Sequence, residues 1–291
     1  NFFVSPNGHQ IAFLQSKAND TSRVQIFEVG IVNGTLTIEA HHQFMRQSDA
    51  AWPYRDLAWS ADGKLSWGDL DGIWVVDVAQ SLPPENVLAQ SGRTGLTGNA
   101  PSRSTYYPMQ WSPDGRFLTV GETLYEGAFL YAFDTLTNSL EQIEGYVSQI
   151  SKGNIWHGAN RLFMLQERGV LVVGRDSAEA PFQHIDTFQL GKPIGNINAS
   201  STPQLNNTYL YFCEGDSTLN QLHKETLAVT VTQSPACTSD QFAQSPVWSP
   251  NRQFVAWNPL NPPHHDWRLS TPTGNSYPLP FASWVQWYRS Q

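Results

Sequence analysis

The chain has little with which to cross-link itself, to carry a strong charge or to enter lipid. Only two of its 291 residues are cysteine, Cys213 and Cys237. That excludes a small scaffold framed by several disulfides and leaves one possible pairing. Charged residues amount to 14%, and 17 basic against 25 acidic side chains give a net charge of −8. An acidic balance disfavours the phosphate backbone of nucleic acid as a partner. No run of 18 apolar residues occurs, so no helical membrane span is expected. The signatures of several chemistries are missing as well. There is no Gly-x-Ser-x-Gly nucleophile elbow, no His-Glu-x-x-His pair, no phosphate-binding loop and no dinucleotide fingerprint.

What the chain does have is aromatic side chains, with 11 Trp, 15 Phe and 10 Tyr, together with 21 Gly. Aromatics suit wedges between twisted sheets, and glycines suit tight turns. The stretch Trp111-Ser112-Pro113-Asp114-Gly115 stands between two apolar runs. Proline presets φ, Asp bonds its own backbone and Gly accepts positive φ, so the stretch predicts a hairpin. Variants recur as Val4-Ser5-Pro6-Asn7-Gly8, Trp59-Ser60-Ala61-Asp62-Gly63 and Trp248-Ser249-Pro250-Asn251-Arg252. Two weaker copies begin at Trp156-His157 and Thr202-Pro203. Their second residues fall at 5, 60, 112, 157, 203 and 249. A repeat of roughly 45 to 55 residues made of short strands marks propeller blades.

A strand-like run follows each hairpin, as in Gly72-Ile73-Trp74-Val75-Val76-Asp77 and Ala128-Phe129-Leu130-Tyr131-Ala132-Phe133-Asp134. A more polar fourth strand closes the unit, so each repeat predicts four strands, a to d, running up and down. The pattern of Trp-Ser-Pro-Asp-Gly, a strand, then an aromatic run ending in Asp resembles the TolB-like (WD40-like) β-propeller repeat. Its relatives include the propeller domains of prolyl oligopeptidase-type enzymes. The resemblance implies an all-β, six-bladed β-propeller of four-stranded antiparallel blades, spanning 1–291 as a single domain. It implies a scaffold and no particular chemistry.

Further expectations follow along the chain. Ring closure should join the two termini, with Trp284-Val285-Gln286-Trp287 serving as the inner strand of the first blade beside residues 10–14, and Phe2 to Val4 as the alternative for that place. Phe2-Phe3-Val4 already reads as part of the first repeat, so a leader is expected to have been removed. Low charge and sequon-like sites at Asn19, Asn33, Asn198 and Asn206 suggest an exported chain, periplasmic, secreted or at the cell surface. Cys213 ends strand b of the fifth unit and Cys237 follows its strand d, on the same face of an up-and-down blade, so a disulfide is expected. His41-His42 reads as a pair of solvated loop histidines, poorly placed to chelate. The Gly68–Gly72 stretch reads as a tight turn rather than a calcium loop.

Loop lengths point to one face. The a–b and c–d turns are short and share one end of each blade. The b–c and d–a connections share the other end and include 43–53, 89–104, 191–201, 233–245 and 258–266. Rigid scaffolds build sites from such loops. The residues singled out for ligand binding are Trp52, Tyr54, Arg103, Tyr106, Tyr107, His264, His265 and Asp266, which mix aromatic and polar groups as contact surfaces do. For the tyrosine pair, packing between blades is an equally open reading. No catalytic residue, metal site or cofactor is expected. The expected role is a monomeric, non-catalytic binding or scaffold module for a protein or peptide. The rival is a carbohydrate-active propeller, either a lectin or a glycoside hydrolase or lyase.

Overall fold

A computed structural model describes residues 2–7, 9–16, 21–32, 35–47, 57–80, 82–92, 94–97, 100–124, 127–147, 153–166, 169–177, 179–191, 208–214, 218–233, 244–248, 255–258, 267–270 and 276–279. All regular structure among them is β-strand, and the strands run up and down through each sheet in chain order. Five sheets have four strands in chain order. The first holds Phe2–Val4, Gln10–Ser16, Thr21–Val32 and Thr35–Gln47. The second holds Ala58–Trp59, Lys64–Gly68, Gly72–Asp77 and Glu85–Ala89. The third runs through Thr105–Trp111, Phe117–Leu124, Gly127–Asp134 and Ser139–Val147. The fourth has Gly153–His157, Arg161–Gln166, Gly169–Gly174 and Gln183–Gln189. In the fifth sheet three strands are described, Tyr209–Glu214, Thr218–His223 and Val229–Gln233. The sixth comprises Gln244–Trp248, Val255–Asn258, Trp267–Ser270 and Ser276–Leu279.

The repeated turn explains its own letters. Ser112 Oγ donates to Asp114 Oδ1 at 2.5 Å and accepts the Phe117 N–H at 2.8 Å. Ser112 N–H donates to the Phe117 carbonyl at 2.7 Å, and Gly115 takes φ +72°. Ser60 repeats this with Asp62 at 2.5 Å and the Lys64 N–H at 2.8 Å. Ser5 repeats it with Asn7 at 2.7 Å and the Gln10 N–H at 2.9 Å. The three serines are buried, so each hydroxyl satisfies a backbone donor that water cannot reach. Asn serves where Asp does because only an acceptor oxygen is required.

The chain groups into two compact units. One comprises Asn1–Ile150, Gly158–Arg161 and Val173–Gln183; the other comprises Ser151–His157, Leu162–Val172 and His184–Gln291. In the first unit, Ala12, Val24 and Ile26 pack with Leu65, Trp67 and Val76, joining the first sheet to the second. Ile73 packs with Trp111, Leu118, Tyr131 and Phe133, joining the second to the third. In the second unit, Ile155, Phe163, Val170 and Val172 pack with Leu210, Phe212 and Leu222.

Three expectations are corrected. The inner strand of the first sheet is Phe2–Val4, with Phe3 opposite Ala12 and Val4 opposite Ile11. The N-terminal segment therefore occupies the place assigned to Trp284-Val285-Gln286-Trp287, which lies outside the described residues. Second, His41 and His42 belong to the strand Thr35–Gln47 rather than to a loop, with His41 exposed and His42 half-buried. His41 stacks on Phe27 with centroids 4.4 Å apart and bonds Gln25 at 2.6 Å, while His42 bonds Glu28 at 2.8 Å. Third, the connection 89–104, expected as a loop, contains regular structure. Thr94–Thr97 pairs with Ala100–Arg103 as a separate two-stranded hairpin.

Candidate functional site on the loop face

The b–c turn of the second sheet and the connection that leads from the second sheet to the third meet at one end. At the centre is Glu122, in the strand Phe117–Leu124 of the third sheet and fully buried. Its Oε1 accepts from Ser104 Oγ at 2.9 Å and from Ser91 Oγ, and its Oε2 accepts from the Tyr131 hydroxyl at 2.7 Å. The two serine hydroxyls are themselves 2.9 Å apart. A carboxyl group taken out of water needs hydrogen-bond partners, and three hydroxyls supply them. Ser91 and Ser104 bracket the 94–103 hairpin in sequence. Glu122 therefore ties both ends of the hairpin to the third sheet.

A second tie lies beside it. Gln90 Nε2 donates to the Asp69 carbonyl at 2.7 Å, and Gln90 Oε1 accepts the Tyr106 N–H at 2.8 Å. One amide side chain thus bridges the b–c turn of the second sheet to the inner strand of the third. Asp69 closes its turn by accepting the N–H groups of Asp71 at 2.8 Å and Gly72 at 3.2 Å. Burial pushes the Asp69 carboxyl above the ordinary range, against the downward pull of those N–H donors. Gly72 has φ +141°, and a Cβ there would lie 1.9 Å from the Leu88 carbonyl oxygen. The turn reading of this segment accounts for Asp69 and Gly72.

The structure places the sequence-flagged residues unevenly. Tyr106 and Tyr107 are 6% and 8% exposed. Tyr106 meets Tyr131 edge-on at 6.0 Å and belongs to the core between the second and third sheets. Tyr107 lies opposite Gly121, and its ring occupies the space that a Cβ at 121 would fill. Packing is the reading of this pair that their burial favours. Arg103 ends the second strand of the hairpin. Trp52, Tyr54, His264, His265 and Asp266 lie outside the described residues, as do Cys237 and the Cys213 side chain. Glu122 was missed as an anchor. Its signal was one carboxylate inside an apolar strand, with its partners 18 and 31 residues upstream.

No family model matches the chain, and no curated protein matches it. Solved structures do. Oligogalacturonate lyase from Vibrio parahaemolyticus aligns with a TM-score of 0.59 at 10% identity, over 95% of this chain and 75% of the lyase. Prolyl oligopeptidase B from Galerina marginata aligns with a TM-score of 0.56 at 11% identity, over 96% of this chain and 40% of that one. TolB from Acinetobacter baumannii aligns at 14% identity over 95% of this chain and 65% of its own, and its TM-score of 0.46 carries no weight. The chain thus spans less than two thirds of the TolB and oligopeptidase chains. At these identities the likeness concerns fold alone. It supports the class defined by the sheets, an all-β chain of the β-propeller type. Enzymes stand among the neighbours, so the fold leaves the role open.

Proposed function

We propose that this chain is one six-bladed propeller domain, exported and non-catalytic, which binds a protein or peptide partner through its loop face. The observation that supports the non-catalytic part is the internal commitment of two loop-face carboxylates among the described residues. Glu122 and Asp69 are 0% and 8% exposed, and both are held by internal donors. A general acid or base must reach the proton it moves, and these two cannot meet a substrate without breaking the fold. Their work is to hold the hairpin 94–103 and the neighbouring turn in place. Preorganising a surface loop lowers the entropy lost on binding. The proposed contact surface in the first unit is the hairpin with Arg103, joined by Trp52 and Tyr54. His264, His265 and Asp266 form a proposed contact loop of the second unit, and a Cys213–Cys237 bridge suits an exported chain.

The fold likeness to oligogalacturonate lyase supports a second reading, a carbohydrate-active propeller. The two separate in one screen. The purified chain is incubated with chromogenic glycosides and polyuronides, applied to a glycan array and panned against a displayed peptide library. Peptide enrichment without turnover or glycan binding is expected. Cleavage of any sugar substrate, or glycan binding without peptide enrichment, overturns the proposal.

A further inference from the structure

Arg175 follows the strand Gly169–Gly174 of the fourth sheet, and its N–H donates to the Asn160 carbonyl at 2.9 Å. Its guanidinium lies 3.7 Å from the centroid of the Phe117 ring and 4.7 Å from that of Phe182. The two rings meet edge-on, with centroids 6.2 Å apart. Ring faces attract positive charge, so the pair makes a corner that holds a cation. Arg116 lies over the same Phe117 ring at 4.8 Å, but its Nε and Nη2 donate to Asp134 at 3.2 and 2.7 Å.

Arg175 suits this corner poorly. Among the described residues its Nε and Nη2 are buried and meet no hydrogen-bond partner. The carboxylates around it are engaged elsewhere. Asp134 accepts from Arg116 and from the Leu136 N–H at 2.9 Å. Asp114 accepts from Ser112 Oγ and from the Arg116 N–H. Glu141 Oε1 accepts the Phe182 N–H at 2.6 Å. Burial and then the neighbouring Arg116 lower the Arg175 pKa, against the pull of Asp134, Glu141 and Asp114. The corner therefore supplies aromatic faces and negative charge, while its carboxylates spend their bonds on other donors. A guanidinium there strands two N–H groups, which is unfavourable. A cation that carries no N–H avoids that loss.

We infer that the corner of Phe117 and Phe182 binds a quaternary ammonium head, with Arg175 as its intramolecular placeholder. Apart from its stacking, Arg175 is tied through its backbone N–H, and Asp176 and Ser177 after it are exposed, so its side chain can swing outward. A quaternary ammonium keeps the attraction to the rings and to the carboxylates and leaves no donor stranded. Free choline and the choline headgroup of a lipid share this chemistry. These side chains all belong to the first unit and sit at the end of the third sheet that carries the Ser112–Phe117 turn. The inference is thus independent of the proposed loop-face partner.

The test titrates the full chain with tetramethylammonium, choline and methylammonium chlorides, followed by ligand-observed NMR. Arg175→Ala and Arg175→Gln both remove the placeholder, so one variant suffices if the other does not fold. Either should bind tetramethylammonium at least about tenfold more tightly than wild type, because the open corner no longer has to be cleared. Methylammonium keeps three N–H groups and should bind the same variant at least about tenfold more weakly than tetramethylammonium. Adding Phe182→Ala should abolish binding while circular dichroism stays that of the parent. Flotation with phosphatidylcholine vesicles separates the two sources: capture assigns a lipid headgroup, and choline binding without capture assigns a free solute. Tetramethylammonium binding no tighter in the variants than in wild type, binding by none of the chains, or methylammonium binding as tightly as tetramethylammonium overturns the inference.

Discussion

The indole Nε1 of Trp111 donates to the carbonyl oxygen of Ala58 at 3.2 Å, reaching from the third sheet to the inner strand of the second. Trp59 makes the same bond one repeat earlier, to the carbonyl of Phe3 at 3.2 Å. In both cases the acceptor is the residue just before the position equivalent to the tryptophan in the preceding sheet. The repeated Trp therefore works as a register pin between neighbours, and the apolar ring fills the wedge beneath it. Trp111 also donates to Ser66 Oγ at 3.1 Å. Trp111→Phe keeps most of the wedge and removes the donor. It should cost about 1–3 kcal/mol in urea denaturation, the usual cost of stranding buried acceptors. A loss below a few tenths would show the bonds to be incidental.

The turn chemistry separates two substitutions that look alike. Ser112→Ala leaves the buried Phe117 N–H without its acceptor and should destabilise by about 1–3 kcal/mol. Asp114→Asn keeps an acceptor oxygen for Ser112, as Asn7 does for Ser5, and should stay within about 0.5 kcal/mol of wild type. Equal losses in the two variants would contradict the assignment of the serine as the group that satisfies the backbone.

These turns were legible because their bonds join residues two to five apart, so the letters carry the geometry. The hairpin 94–103 was not. Its Gly, Ser, Thr, Asn and Pro residues have the composition of a loop, and its strands of four residues have no apolar alternation to announce them. Glu122 was visible as a lone charge, but what buries it is Ser91 and Ser104, brought back by the fold. The first inner strand failed for another reason: three residues, Phe2–Val4, are too short to outweigh the longer apolar stretch 284–287 on sequence grounds. Long-range contact decided Glu122 alone, since the hairpin and Phe2–Val4 pair with near neighbours in the sequence.

Tyr107 and Gly121 are a matched pair. An added Cβ at 121 would lie 2.2 Å from the Tyr107 ring. Gly121→Ala should therefore destabilise by about 1–3 kcal/mol through overpacking. In the double variant with Tyr107→Ala the two losses should sum to less than the singles, because the clash is gone. Additive losses would place the strain elsewhere.

Lys224 gives the fold a signature in alkali. It is 1% exposed, and burial lowers its pKa to about 8. The unfolded chain holds that proton to about 10.4, so between these values the unfolded state binds more protons than the folded one. Stability should therefore rise as pH increases through that window and sit at its lower plateau beneath it. Lys224→Met should remove this rise. Denaturation midpoints measured across the window check it, and an unchanged slope in the variant would assign the effect to another group.

The hairpin itself offers the most direct test of the binding account. Ser91 and Ser104 stand with hydroxyls 2.9 Å apart, so 94–103 can be replaced by a short glycine link without stretching the sheets. The measurement is the Kd of a display-selected peptide for wild type and for this shortened chain, with equal thermal stability confirmed for both. The account predicts that affinity falls at least about tenfold, roughly 1.4 kcal/mol, on removal of the hairpin. An unchanged Kd, with binding lost instead on substitution in the Asp62 or Asp114 turns, would place the partner on the opposite face and contradict it.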